Sequence, residues 1–253
     1  MAEKVLVIDR GNSLTKLMLF EGDRCVALHR LARPGDDEVL ALAESFGASG
    51  GIYCSVGQMD VKLVESLRCL LPDDFMVLTH GTPVPIEVSY RPAEALGLDR
   101  VAALVGAWEK GMTEPVMVAD AGTAITADLL LPPGRFGGGS IAPGIRLRLR
   151  SLHAFTARLP EITLREDVSP VCGDSTRESM LSGCVWGAAM ELASRFGWLK
   201  RAFGVGRMVL AGGDARLLAA RLKEIDPTID IQVTPELVGI GLRKILTYNE
   251  QLS

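Results

Sequence analysis

Residues 5–20 read VLVIDRGNSLTKLMLF, and residues 116–131 read VMVADAGTAITADLLL. Each stretch is an apolar run that ends in an aspartate, Asp9 or Asp120, followed by a glycine turn and a second apolar run. Short apolar runs separated by a glycine turn are typical of two paired β-strands. The shared Asp-x-Gly spacing favours an internal duplication over the alternative of two unrelated hairpins with aspartate-containing turns.

The pattern after each hairpin is typical of an α/β fold. Apolar spacing predicts strands at 26–31, 51–55, 75–78, 136–141, 207–211 and 229–233, and helices at 38–46, 61–71, 99–111, 144–155, 175–196, 215–223 and 236–246. Gly111 is expected to terminate its helix. The proline-rich stretch 80–92 is the expected connector, which divides the chain into domains 1–92 and 93–253, each a mixed β-sheet flanked by helices.

The composition excludes several functional classes. The 253 residues carry 27 Lys+Arg and 31 Asp+Glu, a net charge of −4, whereas nucleic-acid and anionic-membrane binders need a basic surface. No stretch reaches the roughly 18 apolar residues of a membrane helix, and the first apolar run is too short for a signal peptide. The five cysteines are widely spaced with no C-x-x-C. We therefore expect a soluble cytoplasmic protein with no nucleic-acid or membrane partner.

The two glycine turns have the composition of a phosphate-binding site. In a duplicated fold the turns at 9–13 and 120–124 are expected to face one another, where backbone N–H groups and Asn, Ser or Thr side chains can donate to phosphate oxygens. Asp9 and Asp120 cannot contact phosphate favourably, so each implies a cation, either Mg²⁺ or a monovalent ion. One such turn is a weak signal; the pair is moderately specific.

Two helix starts carry further candidate residues. Gly97-Leu-Asp99-Arg100 opens a helix, where Asp99 either complements the helix dipole or accepts a proton from a substrate hydroxyl while Arg100 holds an anionic substrate. Ser175 and Glu178 match a capping box, which leaves the Thr176 hydroxyl free for a ligand.

Taken together, these motifs resemble the type III pantothenate kinases, which belong to the actin-like, sugar-kinase-like ATPase superfamily with duplicated ribonuclease H-like domains. The resemblance spans residues 5–241 and follows the family's order: D-x-G-N at 9–12, G-x-D-R at 97–100, D-x-G-T-A at 120–124, a glycine-rich segment at 138–144 with T-A at 156–157 and L-P at 159–160, T-x(6)-G at 176–183, and G-G at 212–213.

The resemblance implies phosphorylation of pantothenate by ATP with Mg²⁺, the first step of coenzyme A biosynthesis, in a homodimer whose substrate site lies at the subunit interface. By that resemblance Asp99 is the catalytic base and Asp120 holds K⁺ or NH₄⁺. The ATP-binding residues would be Asp9, Arg10, Gly11, Asn12, Ser13, Leu14, Thr15, Lys16 and Thr123. The pantothenate-binding residues would be Tyr90, Gly97, Leu98, Asp99, Arg100 and Thr176.

The sequence departs from the family pattern at four places. Ser13 replaces a threonine but keeps the hydroxyl, Arg10 adds a cation to the first turn, Leu98 replaces a small residue, and Tyr90-Arg-Pro92 lacks the usual asparagine before its proline. Two alternatives remain open. One is a kinase of the same fold that uses another hydroxy-acid or sugar; the other is a non-catalytic regulatory or transcription-accessory relative.

Overall fold

The computed structural model describes residues 4–57, 60–71, 74–164 and 170–252. The chain forms two compact units. Unit 1 consists of Met1–Lys110, Gly134–Phe136 and Glu236–Ser253, and unit 2 consists of Gly111–Pro133 and Gly137–Pro235.

Unit 1 is built on a five-stranded mixed sheet. Its strands lie in the order β3-β2-β1-β4-β5, with β1 antiparallel to β2 and parallel to β4. The elements of this unit are β1 (Lys4–Arg10), β2 (Thr15–Glu21), β3 (Arg24–Leu31), α1 (Asp36–Ser45), β4 (Gly50–Ser55), α2 (Val61–Leu70), β5 (Asp74–Val77), a short 3₁₀ helix (Ala93–Ala95), α3 (Leu98–Ala107) and α7 (Leu237–Glu250).

Successive side chains of β1 point to opposite faces of the sheet, and helices cover both faces. Leu6 and Ile8 pack into the core formed with α1 and α2. Val7 pairs with Met18, whose sulfur lies against Gly239 of α7, so the opposite face of the sheet carries α7. Helix α3 packs against α7 and β4. Asp9 therefore belongs to the α3–α7 face, whereas Arg10 belongs to the α1–α2 face.

Unit 2 repeats this sheet topology. Its strands lie in the order β10-β9-β6-β7-β8, which matches the first sheet strand for strand when read from β8. Its core lies between β6, β7 and β9 and the helices α4, α5 and α6. The elements are β6 (Val116–Ala121), β7 (Ala124–Leu131), β8 (Arg135–Pro143), α4 (Ile145–Ala154), α5 (Thr176–Phe203), β9 (Arg207–Ala211), α6 (Ala215–Ile225) and β10 (Asp230–Val233).

The duplicated α/β fold expected from the sequence is confirmed, but the two hairpins are not equivalent residue for residue. Phe20 pairs with Val5, whereas in the second hairpin Leu130, and not the aligned Leu131, pairs with Val116. The cause is the turn: Gly11 N donates to Leu14 O, whereas Gly122 N donates to Ala124 O, one residue sooner. The stretches 5–20 and 116–131 therefore correspond residue for residue only as far as the turn.

Three predicted helix ends are wrong by four residues or more, and one of them is that of α7, which ends at Glu250 and not at residue 246. Helix α3 ends at Ala107 and not at Gly111, because Trp108 has extended backbone (ψ 137°) and the chain leaves the helix there. Helix α5 continues past the predicted end at Phe196 to Phe203, where Gly204 caps it in the left-handed conformation.

The compact units also divide the chain differently from the predicted boundary at residues 92/93. That boundary does separate the two sheets, because β5 ends at Val77 and β6 begins at Val116. The compact units instead keep α3 and α7 with the first sheet, since the two helices pack on each other and on β4. No described helix is long and apolar enough to span a membrane.

Candidate active site

Asp9 is a buried carboxylate at the end of β1. Only 6% of the residue is exposed, and Lys16 on β2 lies opposite it in the antiparallel register, with Nζ 3.3 Å from Oδ2. Burial raises the pKa of Asp9, Lys16 lowers it by charge and hydrogen bonding, and Asp99 raises it, so that the pKa lies above its usual value. Asp99 thus lies close enough to act electrostatically on Asp9.

Arg10 extends from the opposite face of the sheet. Its Nη1 donates to Oδ1 of Asp36, at the start of α1, over 2.9 Å. Burial lowers the pKa of Arg10, but Asp36 and Tyr53 together raise it by more, so that the pKa lies above its usual value. The side chain of Arg10 is therefore not brought together with that of Asp9, because adjacent residues of a strand point to opposite faces. Its assignment to ATP binding remains a prediction.

The turn between β1 and β2 presents short polar groups. Gly11 N is used by the turn itself, donating to Leu14 O at 3.0 Å. Asn12 and Ser13 are exposed at the tip, whereas Thr15 is buried at the start of β2. The tip of this turn therefore carries residue types whose side chains can donate to phosphate oxygens.

Asp99 lies in the first turn of α3. Its Oδ1 accepts a hydrogen bond from Arg100 N at 2.9 Å, which leaves the carboxylate beside the start of the helix. Gly97, at the N-cap, allows this position, since a Cβ there would lie 2.5 Å from Asp99 Oδ1. The sequence motif G-x-D-R thus has a geometric basis: glycine makes room for the carboxylate.

Arg100 is buried beside two aromatic rings. Its exposure is 5%, and Cζ lies 5.8 Å from the ring centroid of Tyr90 and 5.9 Å from that of Phe136. A guanidinium near aromatic faces is attracted by their quadrupoles. The structure therefore brings the predicted residues Tyr90, Asp99 and Arg100 together in unit 1, with Gly97 and Leu98 on the same segment.

Sequence reasoning missed two residues of this cluster. Phe136 was interpreted only as the start of a strand. Cys54 is a buried core residue, and it is also the β4 partner of Asp9 in the parallel register. Burial raises the pKa of Cys54 well above its usual value, and the charges of Asp9 and Asp99 raise it further, so that the thiol stays protonated.

In unit 2 the second aspartate turn joins two helix starts. Gly144 N, which precedes α4, donates to Thr123 O at 3.0 Å, and Asp214 N, which precedes α6, donates to Ala121 O at 3.0 Å. Gly212 adopts φ +93°, and a Cβ there would lie 2.5 Å from the backbone of Ala121. The strand end at Asp120 is therefore held against both helix starts.

One ion pair joins the same two helices. Arg146 on α4 donates to the buried carboxylate of Asp214. Sequence analysis does not single out Asp214. This pair connects the helix starts that hydrogen-bond with the turn at 121–123, so it supports the position of that turn.

Thr176 is exposed at the first position of α5 in unit 2. Ser175 caps the helix by accepting from Glu178 N at 3.3 Å, as the capping box predicts. The reciprocal bond differs from the motif, because Glu178 Oε2 accepts from Asp174 N and not from the N-cap residue itself.

The carboxylates of this site could hold a metal only together with other ligands. Among the residues that the structure describes, no three His, Cys, Asp or Glu side chains form a group that could hold a metal ion. Mg²⁺ in nucleotide sites usually takes one or two carboxylates and completes its octahedron with water and phosphate oxygens. The donor set around Asp9 therefore fits Mg²⁺ bound with a nucleotide and does not fit an all-protein metal cage.

Comparison with solved structures agrees with this fold. A glucokinase from an Antarctic psychrotroph superposes with a TM-score of 0.52 at 12% identity, covering 98% of this chain and 100% of that one. The activator of the 2-hydroxyisocaproyl-CoA dehydratase from Clostridium difficile, solved with bound ADPNP, gives a TM-score of 0.56 at 12% identity over 99% of this chain and 98% of that one. These likenesses establish the duplicated fold of the actin-like and sugar-kinase-like proteins.

Sequence comparison identifies the family. The sequence profile of the type III pantothenate kinases matches residues 5–195. A type III pantothenate kinase of Phocaeicola vulgatus is 34% identical over 248 residues, which cover 98% of this chain and 99% of that protein. This chain belongs to the type III pantothenate kinase family.

Proposed function

We propose that this protein transfers the γ-phosphate of ATP to the primary hydroxyl of pantothenate, giving 4′-phosphopantothenate, the first step of coenzyme A biosynthesis. The observation that carries the proposal is the arrangement in the first turn of α3, where the Asp99 carboxylate accepts from the backbone N–H of Arg100, a residue that is itself buried. It combines a proton acceptor for a hydroxyl with a cation for a carboxylate, and pantothenate carries both groups.

On the acceptor side, Asp99 accepts the proton of the attacking hydroxyl and Arg100 binds the carboxylate of pantothenate. A charge-assisted contact is stronger where water is excluded, and the 5% exposure of Arg100 supplies that condition. Tyr90, Gly97 and Leu98 belong to the same segment and complete the acceptor contacts in unit 1. We assign Thr176, exposed at the start of α5, to pantothenate as well.

On the nucleotide side, the turn at residues 11–16 and Thr123 contact the phosphates. Phosphoryl transfer has a loose transition state, so these residues act by positioning and by charge stabilisation. Lys16 neutralises Asp9 in the free protein, at 3.3 Å. Mg²⁺, bound through Asp9 directly or through water, would neutralise the phosphate charge.

Two further parts of the proposal, the monovalent cation and the homodimer, rest on the family. Asp120 holds a monovalent cation, K⁺ or NH₄⁺. The protein is a homodimer with its substrate site at the interface, in agreement with exposed apolar side chains in unit 2 at Ile141, Phe155 and Met190. The cytoplasmic location remains the expectation from the free cysteines.

An ADP-release assay with Mg²⁺, K⁺ and pantothenate as sole acceptor tests the reaction. We expect pantothenate-dependent ADP release together with a product heavier by one phosphate group, and little release with D-glucose or glycerate. The variant Asp99→Asn, purified in the same way, controls for contaminating kinases. Turnover with another acceptor alone would favour the alternative kinase, and absence of ADP release with every acceptor would favour the non-catalytic relative.

A further inference from the structure

Arg100 belongs to a three-member cluster whose parts come from separate segments of the chain. Tyr90 lies in the connector, Arg100 in the first turn of α3, and Phe136 at the start of β8, all within unit 1. The rings of Tyr90 and Phe136 lie 5.9 Å apart at 49°, and each lies less than 6 Å from Arg100 Cζ. Arg100 Cζ and the two ring centroids thus form a nearly equilateral triangle, so the guanidinium adjoins a pair of rings that also contact each other.

The backbone sets the position of Phe136 independently of Arg100. Glu87 N donates to Gly134 O at 2.8 Å, and Phe136 N donates to Glu87 O at 2.9 Å, so residues 134–136 form a short bridge with the connector. Gly134 has φ +148°, and a Cβ there would lie 2.5 Å from Trp108 Nε1. Because this segment is fixed at both ends, Phe136 is held in place before any ligand arrives.

An arginine side chain has many rotamers, and ordering it costs free energy that subtracts from binding. A ring fixed beside the guanidinium lowers this cost, because the cation–π attraction favours the ordered rotamer in the free protein. Phe136 itself is 5% exposed, so its contact with Arg100 is also largely dry.

We propose that Phe136 is a positioning residue for the acceptor, which acts by holding the Arg100 guanidinium in the orientation that binds the pantothenate carboxylate. The inference rests on the proposed function, and none of the sequence motifs quoted above includes this position. Its consequence is selective: Phe136 affects binding of the carboxylate group and neither ATP binding nor proton transfer at Asp99.

The test compares Phe136→Leu with the conservative variant Phe136→Tyr. Losing a cation–π contact of the usual strength should raise the KM for pantothenate about 3–30-fold in Phe136→Leu, with the KM for ATP within about twofold of wild type. Phe136→Tyr keeps the aromatic face and should restore the pantothenate KM. Melting curves check folding. Phe136→Met, whose flexible unbranched side chain can fill much of the same space, replaces the leucine variant if that protein melts early.

A second readout separates positioning from a structural role. Pantothenate whose carboxylate is reduced to an alcohol cannot pair with Arg100, so the wild type should prefer the acid and Phe136→Leu should lose most of that preference. An equal loss with both acceptors, an equal rise in both KM values, or an unchanged pantothenate KM in Phe136→Leu would overturn the inference while leaving the kinase intact. Inactivity of the wild type with pantothenate would overturn the proposed function, and the inference with it.

Discussion

Lys16 Nζ lies 3.3 Å from Asp9 Oδ2, across the hairpin that joins β1 and β2. The lysine lowers the pKa of Asp9, but burial and the nearby charge of Asp99 outweigh it, and the pKa remains raised. Keeping Asp9 ionised therefore lowers the stability of the folded protein, as expected at a functional site where activity and stability conflict.

The first prediction concerns Asp9 and stability. Because the pKa of Asp9 is raised in the folded protein, the folded state binds more protons than the unfolded state between the unfolded and folded pKa values, and stability falls as pH rises through that window. Asp9→Asn removes this decline. The Tm of the variant should therefore exceed that of wild type at about pH 7, and the two Tm values should lie closer together at about pH 4. The exposed Asp23→Asn serves as control. A lower Tm of Asp9→Asn at both pH values would contradict the pKa direction.

The second prediction concerns Asp99. An asparagine Oδ1 can accept the same hydrogen bond from Arg100 N, so Asp99→Asn keeps the first turn of α3 but removes the proton acceptor. General-base catalysis is typically worth ~10²–10⁴-fold, and kcat should fall by that amount with the KM for ATP unchanged. If the variant kept more than about a tenth of wild-type kcat, Asp99 would not be the base.

The third prediction concerns Gly97. A Cβ at this residue would lie 2.5 Å from Asp99 Oδ1, so Gly97→Ala must displace the carboxylate. Since small misplacements of a catalytic group can cost ~10²-fold, kcat should fall at least about tenfold while Tm changes little. Gly35→Ala is the matched control, because Gly35 is the N-cap of α1 with nothing within 4 Å of the added Cβ. Equal activity of the two variants would show that the Asp99 position is not critical.

The fourth prediction concerns Asp120. A larger, weakly hydrated ion such as K⁺ suits a site made of one carboxylate and carbonyl oxygens, whereas Mg²⁺ prefers a largely hydrated octahedron. Activity should rise with K⁺ or NH₄⁺ at constant ionic strength, and Asp120→Asn should weaken that dependence. Full activity in a buffer containing Na⁺ as sole monovalent cation would exclude this role for Asp120 without excluding the kinase.

The fifth prediction concerns Lys244, which caps α3 from a neighbouring helix. Its Nζ on α7 donates to Gly106 O at 3.0 Å and to Trp108 O at 2.6 Å, and burial lowers its pKa. Lys244→Met leaves these carbonyls without their donor, which should cost about 1–3 kcal/mol of unfolding free energy in a denaturant titration. The exposed Lys62→Met on α2 should be nearly neutral. Equal stability of the two variants would show that the cap contributes nothing.

Local pattern determined the elements of this protein. Strand β9 has the predicted limits Arg207–Ala211, and Ser175 caps α5 as its motif indicates, because a short apolar run and a capping motif depend on residues a few positions apart. The duplication was also visible, since each hairpin keeps its aspartate and glycine at the same spacing. The pairing register of the second hairpin was not visible in the sequence, because a turn shortened by one residue leaves the apolar pattern of both strands intact.

Only the tertiary structure decided which other residues contact those of the candidate site. Cys54 reaches Asp9 because β4 pairs with β1, and Phe136 reaches Arg100 because residues 134–136 return to pair with Glu87 in unit 1. Helix α7 likewise returns to cap α3. These contacts join residues far apart along the chain. The free energy that selects them comes from burial and pairing between whole elements, and a local pattern in the sequence does not reveal that free energy.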